Sequence, residues 1–92
     1  MLDRFRLAYR LELSEGRVRV AIGRAPPSFV AAVADVARLH RIRAGRIDCV
    51  GEGKRARLRF SHGFPERGRQ AIRNVWTPPS APGPGGGRRA QG

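Results

Sequence analysis

The side chains best suited to chemistry in this sequence are arginines that alternate with apolar residues. Residues 55–60 read Arg-Ala-Arg-Leu-Arg-Phe, and residues 4–13 and 17–22 follow a similar alternation. A period of two is typical of a β-strand with one buried and one solvated face, so each strand carries its arginines on the solvated side. Guanidinium groups bind phosphate in a bidentate manner and stack on nucleobases. The pattern therefore predicts phosphate binding.

Residue combinations for catalysis or metal binding are not evident. Acid–base catalysis needs two groups that converge on a pocket, yet the seven acidic residues fall mostly at turns or among arginines. Cys49 is the single cysteine, which excludes an intramolecular disulfide, and its apolar neighbours predict a small buried side chain. His40 has no second His or Cys placed beside it as a metal ligand. We expect no enzyme activity, no metal and no cofactor.

The elements that carry the arginines follow from the periodicity. The predicted strands cover residues 4–13, 17–22, 46–50 and 55–60. Pro27 and Pro65 each suit the first position of a helix, after which apolar residues recur at helical spacing. Gly45 follows the first helix, and Thr77-Pro78-Pro79 stops the second.

These elements predict an α+β fold of order β-β-α-β-β-α, with an antiparallel four-stranded sheet and both helices on one face. A shift of 38 residues superposes residues 17–22 on 55–60 and Pro27 on Pro65, which suggests a duplicated β-β-α unit. We expect one small basic domain over residues 1–76. Residues 77–92 are rich in Pro and Gly and are predicted to be disordered.

The predicted core combines the apolar face of the sheet with the apolar sides of the helices. Its members are Phe5, Leu7, Tyr9, Leu11, Val18, Val20, Ile22, Phe29, Val33, Val36, Ile47, Cys49, Leu58, Phe60, Ile72, Val75 and Trp76.

The opposite face of the sheet is predicted to bind polyanions. The arginines expected on it are Arg6, Arg10, Arg17, Arg19, Arg55, Arg57 and Arg59. The second helix offers another polar surface, with Arg67, Gln70 and Arg73 as candidates for nucleic-acid contacts. The solvated strand positions hold no Phe or Tyr for stacking, so binding is expected to be electrostatic and mostly independent of base sequence.

The charge of the whole chain agrees with such a surface. Nineteen basic residues against seven acidic ones give a net charge of +12, with a sequence pI near 11.9. Such a chain is attracted to nucleic acid, to an anionic membrane surface or to an acidic protein. Eighteen arginines against the single Lys54, with much Ala, Gly and Pro, are also what a GC-rich coding sequence produces without selection for binding.

Part of the sequence resembles a family of small bacterial proteins of unknown function. The similarity extends over residues 5–76 and rests mainly on Leu58-x-Phe60 followed by Pro65-x-x-x-Arg69-Gln70-x-x-Arg73-Asn74, with Gly16 and Pro27-x-Phe29 before it. Members often begin with a membrane-anchoring helix, whereas residues 1–13 here contain arginines. The resemblance implies no known activity, so no site residue follows from it.

The sequence thus favours a non-enzymatic module that binds nucleic acid, RNA or a ribonucleoprotein before DNA. The alternative is an interaction protein that binds an acidic partner or another copy of itself. No run of 18 apolar residues and no signal-peptide pattern occurs, so we expect no membrane span and a cytoplasmic location.

Overall fold

The computed structural model of the chain describes residues 6–79. Its strands are β1 (Leu7–Ser14), β2 (Arg17–Gly23), β3 (Gly45–Val50) and β4 (Arg57–Phe60), and its helices are α1 (Pro27–Leu39) and α2 (Glu66–Val75). A short 3-10 turn, Gly53–Arg55, joins β3 to β4. The order β-β-α-β-β-α confirms the α+β fold that the periodicity predicts.

The four strands form one antiparallel sheet in the order β2-β1-β3-β4. The strands β1 and β3 are therefore central, and β2 and β4 are the edges. Each β-β-α unit supplies one central strand, one edge strand and one helix, so the two units occupy equivalent places about the β1–β3 pair. The duplication itself stays a prediction.

The core lies between one face of the sheet and the two helices. Phe29 and Val33 of α1 and Ile72 of α2 pack in one cluster with the buried strand residues. The side chains with the least exposure are Leu11, Val33, Ile47, Cys49 and Ile72. Each buried aliphatic side chain stabilises the fold by about 1.5–3 kcal/mol, which holds both helices on this face.

Two loop residues enlarge the core beyond the predicted set. Ile42, after α1, and Phe64, between β4 and α2, are both buried. A Cβ at position 68 would overlap Ile42 Cδ1, so Gly68 lets α2 approach the segment after α1. The predicted Val75, in contrast, is exposed at the C-terminal end of α2.

Two register shifts change the orientation of predicted core residues. In β1, Leu7 pairs with Val50 and Tyr9 with Cys49, so Leu7 lies on the side of Val50 and its expected place in the core is wrong. The other shift is a β-bulge in β2. Leu11 pairs with Val20, but Arg10 pairs with Ile22, so that Ala21 is an extra residue in β2. Since paired residues share a face, Ile22 lies on the side of Arg10 and not in the core. The expectation that Val18, Val20 and Ile22 share one buried face is therefore wrong for Ile22. Both Val20 and Ile22 are exposed on this edge strand, at 39% and 43%.

The start of β4 also differs from the sequence-based expectation. The strand begins at Arg57, because the Arg55 N–H donates to the Glu52 carbonyl and the Ala56 N–H to the Gly53 carbonyl, which closes a 3-10 turn instead. Arg55 is therefore part of a turn and not of the sheet.

Several expectations lie outside the described residues: the beginning of β1 before residue 6, the burial of Phe5 and the disorder of residues 80–92. The contact with the domain continues as far as Pro79, whose carbonyl accepts a hydrogen bond from the Gly53 N–H at 3.0 Å. Within residues 6–79, neither helix has the length and apolar character needed to cross a bilayer.

Candidate nucleic-acid interface

The face of the sheet turned away from the helices is called the open face, and cross-strand pairing defines its members. One row across the strands runs Ile22–Arg10–Asp48–Arg59, and the next runs Arg19–Glu12–Arg46. Arg17 pairs with Ser14 at one end of this face, and Arg57 pairs with Val50 at the other. Within residues 6–79 the face therefore carries two carboxylates and six arginines, Arg10, Arg17, Arg19, Arg46, Arg57 and Arg59.

Arg10 is held within the open face by Asp48. Its Nε donates to Asp48 Oδ1 at 2.7 Å and its Nη2 to Asp48 Oδ2 at 3.1 Å, in a bidentate pair. This hydrogen bonding to Asp48 raises the pKa of the Arg10 guanidinium. Arg46 Nε approaches the same carboxylate at 3.7 Å. Arg10 therefore has a structural partner and is the least available of the six for a ligand.

Arg19 pairs with Glu12 in a much more solvated setting. Its Nη2 lies 2.5 Å from Glu12 Oε1, but the Arg19 side chain is 71% exposed. Exposed ion pairs contribute only about 0.2–1 kcal/mol, so a phosphate can compete with Glu12 for this guanidinium. Arg17, Arg57 and Arg59 are exposed and make no ion pair within residues 6–79.

The charge on the open face has a definite arrangement. The central strands carry Arg10 and Arg46 against Glu12 and Asp48, which cancel. The edges carry Arg17 and Arg19 on β2 and Arg57 and Arg59 on β4, with no acidic residue on these strands. The excess of +4 therefore forms two basic stripes, separated by three strand spacings, or about 14 Å.

Two other arginines predicted for this surface lie at its margin. Arg6 precedes β1, where its carbonyl accepts a hydrogen bond from the Gly51 N–H, and Arg55 lies in the 3-10 turn. Both are exposed at the end of the sheet away from the β1–β2 turn. Arg46, which the sequence-based set omits, alternates with Asp48 in β3; the same period-two rule could have found it.

The candidate residues of α2 lie on a separate surface. Gln70 donates to Glu66 Oε2 at 3.3 Å, and Arg67 is exposed. The Arg73 guanidinium lies over the Phe60 ring, 5.1 Å from its centroid.

Arg69 shares this arrangement, with its guanidinium 5.7 Å from the centroid of the same Phe60 ring. Its Nε also donates to the Phe64 carbonyl at 2.9 Å. The spacing of four residues between Arg69 and Arg73 places both on one side of α2. This part of the Phe60–Asn74 motif therefore attaches α2 to the end of β4.

Cys49, Tyr9 and Trp76 each place a polar side-chain atom in or against the core. Burial raises the pKa of the Cys49 thiol, which keeps it protonated. Burial and the nearby Cys49 likewise raise the pKa of Tyr9. The indole N–H of Trp76 is buried beside Tyr9 and makes no hydrogen bond of good geometry within residues 6–79. Across the same residues, no three His, Cys, Asp or Glu side chains are grouped to hold a metal ion.

Comparison with known proteins finds a matching family. The model of a family described as Protein of unknown function (DUF3634) matches residues 3–90. No curated protein and no solved structure matches the chain.

Proposed function

The chain belongs to the DUF3634 family of proteins of unknown function, and we propose that it is a non-enzymatic module that binds nucleic acid, RNA before DNA. The observation that carries the proposal is the pair of basic stripes on the open face. The guanidinium groups of Arg17, Arg57 and Arg59 make no ion pair within residues 6–79, and Arg19 has only a solvated one. Such groups match phosphate oxygens in charge and in hydrogen-bond geometry.

The shape of the surface favours RNA. A flat sheet face does not enter a groove of duplex DNA, whereas loops and single strands of RNA expose their backbone to it. Within residues 6–79 the aromatic side chains lie in or against the core and not on this face. The contacts are therefore made mainly to phosphates, and binding depends little on base sequence.

The test is fluorescence anisotropy of a labelled RNA with three forms of the protein. The first is unchanged, and the second has Arg17, Arg19, Arg57 and Arg59 replaced by Gln. The third is a matched control with Arg24, Lys54, Arg55 and Arg67 replaced by Gln. All eight positions are exposed, so both variants should fold, and both lose four positive charges.

The proposal predicts that the open-face variant loses binding while the control keeps most of it. Equal losses would mean that net charge alone attracts RNA, which is the compositional explanation of the arginine content. Absence of binding by the unchanged protein at low salt would contradict the proposal.

A second candidate function, association with an acidic protein or with another copy, has one specific observation in its favour. The edge strand β2 exposes Val20 and Ile22 next to Arg17 and Arg19. An exposed edge can accept a further strand. Co-purification with one protein at high salt, abolished by Ile22→Lys, would favour this function over RNA binding.

A further inference from the structure

A groove of about 420 Å³ lies beside the β1–β2 turn, against the C-terminal end of α1. Three exposed arginines are among its lining residues, Arg38, Arg41 and Arg43. Its floor is formed by small or apolar residues, Gly16, Ala34, Ala37 and Ile42. The groove therefore combines a cationic rim with an apolar surface.

The backbone fixes this shape. The Ile42 N–H donates to the Ala37 carbonyl at 2.9 Å and the Arg41 N–H to the Arg38 carbonyl at 3.4 Å, in the pattern of a Schellman motif at the end of α1. The Gly16 N–H donates to the Arg43 carbonyl at 2.9 Å, which ties the β1–β2 turn to the same segment. Because Ile42 is buried, the floor is anchored in the core.

Arg41 occupies a backbone position that glycine fits better. Its φ is 56°, in the left-handed region that L-residues disfavour. Its guanidinium makes no ion pair within the described part of the chain, and neither does that of Arg43. Arg38 pairs with Asp35 at 3.1 Å, with both side chains largely exposed. The helix dipole favours one basic charge here but does not account for three around a concave apolar floor.

The groove and one stripe of the open face adjoin along the chain. Gly16 lines the groove, and Arg17 and Arg19 follow it directly in β2. An apolar floor between guanidinium groups suits a flat heteroaromatic ring, on which arginine stacks well.

We propose that this groove holds an unstacked base of a single-stranded RNA whose phosphates lie on Arg17 and Arg19. The proposal rests on the proposed function and deepens it. A base inside a duplex is paired and stacked and cannot enter the groove. The protein should therefore prefer single-stranded RNA to duplex RNA of the same length, although the duplex has the higher charge.

Two variants test the groove without damaging the fold. Ala34→Leu fills the floor, keeps the net charge and retains a good helix former. Arg41→Gly removes one guanidinium and relieves the left-handed backbone, so thermal unfolding should show no loss of stability. Arg24→Gln, which removes one charge from an exposed loop, is the matched control for Arg41→Gly.

Fluorescence anisotropy measures the affinity of each variant for labelled single-stranded RNA and for labelled duplex RNA. Since a stacked base contributes substantially to affinity, each groove variant should weaken single-strand binding about tenfold and leave duplex binding within about twofold. Equal effects on both RNAs, or no effect of Ala34→Leu, would overturn the groove proposal and leave the open-face function standing. Absence of binding to either RNA by the unchanged protein would overturn both.

Discussion

The arginines of this chain differ in what their guanidinium groups contact. Arg10 is held by a carboxylate, Arg73 lies over an aromatic ring, and Arg57 is exposed without an ion pair in the described residues. Alternation along a strand predicts which face an arginine occupies, but not what its neighbours on the next strand are. The cross-strand partners Glu12 and Asp48 therefore decide which arginines remain available.

Asp48→Asn should have opposite effects on stability and on RNA binding. The change removes the charged partner of Arg10 and weakens the contact with Arg46, so the midpoint of thermal unfolding should fall. The same change raises the net charge of the open face, so RNA affinity should rise severalfold. Glu52→Gln, in an exposed turn, is the control for the added charge. A fall in RNA affinity for Asp48→Asn would contradict the assignment of the open face.

Cys49 should make stability fall at alkaline pH. Its pKa is raised by burial above the ordinary 9.0, so the folded chain keeps the proton where the unfolded chain loses it. The contribution of Cys49 to the free energy of unfolding should therefore be constant below about pH 8. It should decrease as the pH rises through about 9 and beyond. Tyr9, with its pKa raised in the same direction, extends the decrease to higher pH.

Urea unfolding at about pH 7, 9 and 10 measures this slope. Cys49→Ala lowers stability at every pH because it leaves a cavity, but its decrease between pH 8 and 10 should be smaller than that of the unchanged protein. Identical slopes for the two proteins would show that the Cys49 thiol does not contribute to the pH dependence of stability.

At the scale of elements, the periodicity of the sequence predicts the regular strands and helices. It misses the irregular positions, such as bulges and buried loop residues. Period two identifies the strands, and Pro27 marks the start of α1. The bulge at Ala21 has no signal in the sequence, because an apolar residue continues the alternation at Ile22 although the register has shifted. The burial of Phe64 also has no signal in the sequence, because a residue between a turn and a helix belongs to no strand or helix periodicity.

Gly68→Ala should destabilise the protein although alanine is the better helix former. An alanine inside a helix normally gains about 1 kcal/mol over glycine. Here the new Cβ would overlap Ile42 Cδ1 and lie 3.3 Å from Phe64 Cε1, so we expect a net loss of about 1–3 kcal/mol in urea unfolding.

The second substitution that tests this contact is Ile42→Val, which removes the overlapping methyl group. The double variant should recover part of the stability lost in Gly68→Ala. A stabilising effect of Gly68→Ala alone would show that α2 does not pack closely against the segment after α1.

The stacking of arginines on Phe60 should be measurable as a coupling energy. A double-mutant cycle with Phe60→Leu and Arg73→Met should give about 0.5–1 kcal/mol, the range for exposed cation–π pairs. The same cycle with Arg67→Met, an exposed position on α2, should give no coupling. A coupling energy near zero between Phe60 and Arg73 would show that stacking does not explain why the Phe60–Asn74 motif attaches α2 to β4.

At the scale of the whole molecule, the basic charge is organised and not merely abundant. The central strands of the open face are neutral, whereas the two edges each carry two available arginines. The sequence predicts the members of the edge stripes because arginine and apolar residues alternate without interruption over residues 17–20 and 57–60. It does not predict their separation, which depends on the strand order β2-β1-β3-β4. Nor does it predict the groove, which needs Gly16 and Arg43 to meet in space.

The most direct test of the open face as a phosphate-binding surface is the salt dependence of RNA binding. The logarithm of the binding constant is plotted against the logarithm of salt concentration between about 50 and 200 mM, and its slope counts the phosphates neutralised. We expect the variant with Arg17, Arg19, Arg57 and Arg59 changed to Gln to have a slope shallower by about 3 than the unchanged protein. The matched control with Arg24, Lys54, Arg55 and Arg67 changed to Gln should flatten the slope much less. If both variants flatten the slope equally, the open face is not the binding surface.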